Sequence, residues 1–229
     1  MITVNLVEKS YRNGDVEHKV LKGISLTIET GEFVVLLGPS GSGKSTFLNC
    51  ISGLERIDRG SVCYDGTDIT RMKERELTAF RRKKTAFVFQ AYYLMPSLTA
   101  EMNVRMGANL VGKKDVVPLL EAVGLKGKEK KYPSQLSGGE QQRVSIARAI
   151  AKEPEVLFAD EPTGALDEET GRNMLRYLIA LQRERKITLV MVTHNENIAC
   201  LADRIVRMNS GRIISDEKNS PKTVDEIGW

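Results

Sequence analysis

The chain has 229 residues, 41% of them hydrophobic and 28% charged, the balance of a globular protein with a sizeable core in one large or two small domains. A net charge of +4 is too weak to argue for nucleic acid, and no nucleic-acid partner is expected; it suits a phosphate ligand or an anionic membrane surface equally well. Cys50, Cys63 and Cys200 are scattered and show neither metal spacing nor a disulfide framework, which favours a reducing cytosol.

The N-terminus lacks the basic region and apolar core of a signal peptide. No apolar run approaches the ~18 residues of a membrane span, so the chain is not expected to cross a bilayer by itself. Residues 2–8 alternate weakly and read as a strand, followed by a turn cluster over residues 10–15. Leu21, Ile24, Leu26 and Ile28 mark a half-exposed strand of an antiparallel layer. Thr30 and Gly31 turn into Phe33-Val34-Val35-Leu36-Leu37, a run apolar enough for a buried strand, and a helix is expected over residues 45–54. A short strand over residues 59–66 and a charged helix over 73–84, with Leu77 and Phe80 inward, lead to a second buried strand at 85–89, ending at Gln90.

From about residue 91 to 151 the pattern changes to helices and loops punctuated by Pro96, Gly112, Gly124, Gly127 and Pro133. Ser137-Gly138-Gly139 precedes a helix running through Ala149. A third buried strand, 156–159, ends in Asp160-Glu161; a long helix covers 168–184; a fourth strand, 187–192, ends at Thr193-His194; residues 205–214 read as a hairpin. Buried strands alternating with helices predict a parallel sheet with helices on both faces, interrupted by an inserted helical subdomain at 91–151.

Chemistry concentrates at the strand ends. Gly38-Pro39-Ser40-Gly41-Ser42-Gly43-Lys44-Ser45-Thr46 has the phosphate-loop spacing, preceded by a strand and followed by a helix as that pattern requires. Its glycines bring backbone N–H groups close to a phosphate, and the helix points its positive end at the same anion. Lys44 is placed to reach the β- and γ-phosphates and Ser45 to ligate Mg²⁺. Asp160, at the end of an apolar strand, can complete the Mg²⁺ shell; Glu161, expected to point the other way along an extended chain, is the candidate to polarise an attacking water. Gln90, Asp160-Glu161 and His194 all end strands, where ligands gather in open α/β sheets. Ser137-Gly138-Gly139-Glu140 is a second helix end with exposed N–H groups. One nucleotide on one copy has no use for two such sites, whereas two copies placed head-to-tail would each complete the other's.

Together, residues 38–45, Gln90, Leu136 to Glu140, Val156 to Glu161, Ala165-Leu166-Asp167 and His194 resemble the full motif set of ABC transporter ATPases, in the family's order and over almost the whole chain. The resemblance implies an α/β fold with a P-loop NTPase (RecA-like) core, an N-terminal antiparallel β layer and an inserted helical subdomain, all within one ATPase domain spanning residues 1–229. It also implies ATP and Mg²⁺ as ligands. Ser137 to Glu140 would contact the γ-phosphate held by a second subunit in an ATP-dependent homodimer, and Asp167 would cross that interface. Gln90 would lie between metal or water and a membrane partner, and Tyr11 would stack on adenine. The chain departs from no catalytic position of that pattern.

Tyr11 to Gly14, Phe87 to Gln90 and Ala159 to Asp167 further resemble the MacB/LolD-like branch serving lipoprotein release, macrolide efflux and peptide resistance. That implies a transmembrane permease partner, a groove for it at residues 91–96, and a place on the cytoplasmic face of the cell membrane. An ATPase that drives mechanotransmission or a cell-division membrane complex is the alternative. Soluble ABC proteins of repair or translation usually carry two cassettes or a coiled-coil insertion, and neither is visible here.

Overall fold

The computed structural model describes residues 1–14, 16–113, 115–164 and 166–229. In chain order the elements are β1 (Ile2–Asn13), β2 (Val16–Ile28), β3 (Phe33–Leu37), α1 (Lys44–Ile51), β4 (Arg59–Tyr64), β5 (Thr67–Asp68), α2 (Glu74–Lys84), β6 (Thr85–Val88) and α3 (Ala100–Ala108). They continue as α4 (Val117–Ala122), α5 (Gly138–Ile150), β7 (Val156–Asp160), α6 (Glu168–Arg185), β8 (Thr188–Thr193), α7 (Glu196–Ala199), β9 (Arg204–Asn209) and β10 (Arg212–Lys218). The chain divides into two compact units, residues 1–81 with 188–229, and residues 82–187.

The first unit holds two sheets' worth of strands. An antiparallel layer runs β2-β1-β4-β5, and β3 lies between β8 and β9, parallel to both, with β10 antiparallel on β9. All of β3 and β8 is buried, as expected of unbroken apolar runs in a parallel sheet. Leu21, Ile24, Leu26 and Ile28 are buried on β2; the extra step between Leu21 and Ile24 coincides with a shift in the β1–β2 register. The turn expected over residues 10–15 is narrower. β1 continues to Asn13, with Tyr11 opposite His18 and Arg12 opposite Glu17, and the chain turns only at Gly14; Asp15 lies outside the described residues. Cross-strand pairing overrides the local turn preference up to Asn13, and only Gly14 keeps it. The helix expected to reach residue 54 stops at Ile51, because Gly53 takes a left-handed φ of 72°.

In the second unit β6 and β7 pair in parallel, Val88 beside Ala159. The helices of the 91–151 stretch surround their own core of Ala100, Val104, Leu120, Leu125, Val144 and Ala147. α3 and α5 approach so closely that a Cβ on Gly107 would lie 2.1 Å from the Arg148 carbonyl oxygen. None of the described helices is long and apolar enough to cross a membrane.

Candidate nucleotide-binding and catalytic site

The phosphate loop leaves β3 beside β9. At Gly38 φ is 156°, and a Cβ there would lie 2.1 Å from the Met208 carbonyl oxygen, so only hydrogen fits. Gly43 caps α1 with φ 98° and no side-chain cap, and the first turn of α1 carries no acidic residue. The helix's positive end is therefore neither capped nor neutralised by its own side chains, and it faces the loop. Ser42 is buried, and its Oγ has no hydrogen-bond partner among the described residues. Lys44, 6% exposed, donates from Nζ to the carbonyls of Gly38 (2.8 Å) and Pro39 (2.9 Å). Pro39, Ser40, Gly41 and Ser45 are exposed, and Thr46 is half-buried. An unclaimed helix end, a cradle that a Cβ would fill and a buried hydroxyl lacking a partner fit a phosphate chain.

Two further expected residues lie in the same unit. Leu37 pairs with Thr193, so the loop and His194 leave their strands at the same edge of the sheet. His194 is exposed, followed by Asn195, whose side chain caps α7. Tyr11 projects from β1, 41% exposed; its hydroxyl donates to Glu55 at 2.6 Å, and Lys9 Nζ stands 5.3 Å from the ring centroid. Partial burial, and then the bond to the Glu55 carboxylate, push the phenol up to about 12. Glu55 also holds Lys9 at 3.4 Å, so one carboxylate orients both the ring and the cation over it.

The second unit collects the rest. Because Val88 lies beside Ala159, Gln90 and Asp160-Glu161 emerge at one edge. Asp160 and Glu161 are half-buried and Gln90 is exposed. Glu161 departs from the extended chain expected for it: φ is 47°, a left-handed conformation uncommon for a residue with a side chain. The backbone turns at once, with Gly164 N–H donating to the Glu161 carbonyl at 3.1 Å. A Cβ on Gly164 would lie 3.2 Å from Gln90 Nε2 and 3.7 Å from Glu161 Oε2, so this glycine separates the two side chains. Gln142, 1% exposed on α5, donates from Nε2 to the carbonyls of Phe89 (3.3 Å) and Pro162 (2.9 Å). It ties the segment before Gln90 to the one after Glu161.

Ser137 caps α5 in a reciprocal pair: its Oγ accepts from Glu140 N–H at 3.3 Å, while Glu140 accepts from Ser137 N–H at 2.9 Å. Two of the N–H groups expected to be exposed are thus taken up. Those of Gly138 and Gly139 make no hydrogen bond among the described residues. Glu140 is also paired with Lys128, which, ahead of the bond from Ser137, holds its carboxyl below the usual range. Both glycines are tightly placed: a Cβ on Gly138 would meet Tyr92 Oη at 2.8 Å, and one on Gly139 would meet Thr170 Cγ2 at 2.9 Å. Asp167 is the exposed N-cap of α6, accepting from Thr170 N–H at 3.0 Å; Ala165, two residues before it in the same motif, lies outside the described residues.

Past Gln90 the chain is pinned from inside. Asn103, fully buried, accepts from Met95 N–H at 2.8 Å and donates to the carbonyls of Met95, Leu98 and Thr99. Arg148 donates to the carbonyls of Tyr92 and Tyr93. Tyr93 (67% exposed) and Met95 (46%) are left outward, and α3 adds Met102 and Met106, one turn apart on its exposed face. Sequence reasoning missed Glu55, Asn103, Gln142 and Arg148, because nothing marks a polar residue as buried until the elements around it are placed. The Ser137–Glu140 pair did carry a signal, the S-x-x-E spacing of a capping box.

The family model described as "ABC transporter" matches residues 21–164. A putative ABC transporter ATP-binding protein of Mycoplasma pneumoniae is 47% identical over all of this chain, which spans about half (50%) of that relative's length. An uncharacterised ABC transporter ATP-binding protein of Bacillus subtilis is 43% identical, with 95% of this chain and 97% of the relative covered. The macrolide export ATP-binding/permease protein MacB of Neisseria meningitidis is 42% identical over 97% of this chain and 35% of its own length. Among solved structures, the ATP-binding cassette MJ0796, dimeric and bound to ADP and phosphate in a post-hydrolysis state, superposes with a TM-score of 0.91 at 38% identity, covering 97% of this chain and 100% of that one. With the motifs in the family's order, the α/β P-loop fold and these matches, the chain belongs to the ABC transporter family and has the fold of its ATP-binding cassettes.

Proposed function

We propose that this chain is one cassette domain, with residues 91–151 as its helical insert, and that it binds and hydrolyses ATP to drive a membrane transport complex. The observation that carries the reading is the loop from Gly38 to Thr46, with Gly38 packed too closely on the Met208 carbonyl for any side chain and its helix end left unneutralised. Lys44 exchanges its two loop carbonyls for the β- and γ-phosphates. Tyr11 offers a ring, held by Glu55, to the adenine.

Ser45, Asp160 and Gln90 carry oxygen donors, the hard set that would hold Mg²⁺, and the ion would supply charge neutralisation for the phosphates. Glu161 accepts the proton of the attacking water as general base, and His194 hydrogen-bonds on the γ-phosphate side. The N–H groups of Gly138 and Gly139, with the Ser137 hydroxyl, serve the γ-phosphate held by a second copy, and Asp167 faces that copy. ATP thereby closes a head-to-tail homodimer. Tyr93 and Met95, with Met102 and Met106, form the apolar surface for a transmembrane permease, which would hold the chain at the cytoplasmic face of the membrane.

Glu161→Gln tests the chemistry. The amide cannot take the proton, so the variant binds ATP with turnover reduced by about two or more orders of magnitude. Hydrolysis near the parental rate would remove Glu161 from this role.

A further inference from the structure

Within the second unit, a cavity of about 380 Å³ opens between the end of α4, α5 and α6. Its walls are mostly apolar, with Val123, Ile146 and Met174 contributing, and its polar groups are Arg143, Asn173 and Tyr177. The size lies within the usual range for small-ligand pockets, about 300–1,000 Å³. Arg143 is the unusual member. It is half-buried, its Nε is fully buried without a hydrogen-bond partner, and the guanidinium makes no hydrogen bond or ion pair among the described residues.

The carboxylates whose charge reaches Arg143 are already engaged: Asp167 caps α6, and Glu140 bonds Ser137 N–H and Lys128. A buried guanidinium nitrogen with no acceptor is costly, and a carboxylate oxygen matches the guanidinium fork. One cation in an apolar-walled cavity calls for one negative charge, since a dianion would leave half its charge buried and uncompensated.

We infer that this cavity binds a small amphiphile carrying one carboxylate, its carboxylate on Arg143 and its apolar body against Val123, Ile146 and Met174. Asn173 and Tyr177 supply the remaining polar contacts at the mouth. None of its lining residues belongs to the phosphate loop.

The test is a titration of the full chain, labelled at its methionine methyl groups with ¹³C, with octanoate and with its neutral counterpart octanamide. Octanoate should shift the Met174 methyl signal saturably, and octanamide should need about tenfold more to do so. Arg143→Leu should lose the octanoate preference, and Arg143→Lys should keep part of it; unchanged Met174 chemical shifts in the unliganded variants establish that the cavity is intact. Equal response to the two compounds would overturn the assignment of Arg143. A response confined to the exposed Met102 and Met106 would show adsorption to the outer face of α3 and overturn the site altogether, as would no saturable response.

Discussion

Replacing Gly38 by Ala should destabilise the fold markedly more than the same change at Gly41. At Gly41 φ is 75° and no atom lies within 4 Å of a built Cβ, so the cost is the left-handed conformation alone, about 1–2 kcal/mol. At Gly38 a backbone penalty at φ 156° adds to a contact of 2.1 Å with a carbonyl oxygen of β9, which cannot rotate away as a side chain could. Overpacking of this kind costs about 1–3 kcal/mol, so with a backbone term of similar size the loss is about 2–6 kcal/mol. Against a typical stability of about 5–15 kcal/mol that is a large fraction. Urea unfolding of the nucleotide-free variants reads the difference directly. If the two variants lose stability within about 0.5 kcal/mol of each other, the close packing of Gly38 is not what fixes this loop.

Tyr11→Ala should weaken ATP binding by about 1 kcal/mol through loss of a stacking face, while Tyr11→Phe keeps the face and loses only the bond to Glu55; equal affinities for all three proteins by calorimetry would return Tyr11 to a structural role. The Glu140 carboxyl is held below its usual range, chiefly by Lys128, so its contribution to stability is complete above the ordinary carboxylate pKa and lost as pH falls through the depressed value. Acid unfolding of Glu140→Gln should therefore be less steep with pH than that of the parent, and identical pH profiles would refute the pairing. Ser137→Arg should leave ATP binding by the single copy intact yet abolish the rise of hydrolysis per subunit with protein concentration. A variant as concentration-dependent as the parent would place Ser137 away from the interface.

The buried strands were legible because each is a largely apolar run that stops at the motif residues: β3 before Gly38, β7 at Asp160, β8 before His194. The phosphate loop was legible because spacing, strand and helix agree. Pairing was not legible. Tyr11 to Asn13 reads as a turn by composition and is a strand because β2 lies beside it. Glu161 reads as the next residue of a strand and is left-handed because the chain turns back through Pro162 to Gly164. The capping box at Ser137 reads as open donors when only the glycines are weighed, and as a half-filled helix end once Glu140 is included. Buried polar ties such as Gln142 and Asn103 depend on which loops meet around them, which periodicity does not encode.

The central claim is that ATP is shared between two copies of this chain. Sizing Glu161→Gln with and without Mg-ATP tests it most directly, because that variant is predicted to bind the nucleotide without consuming it. The account predicts a monomer without nucleotide and a dimer with Mg-ATP, reversed by Ser137→Arg in the same background. A protein that stays monomeric with ATP demonstrably bound would contradict it.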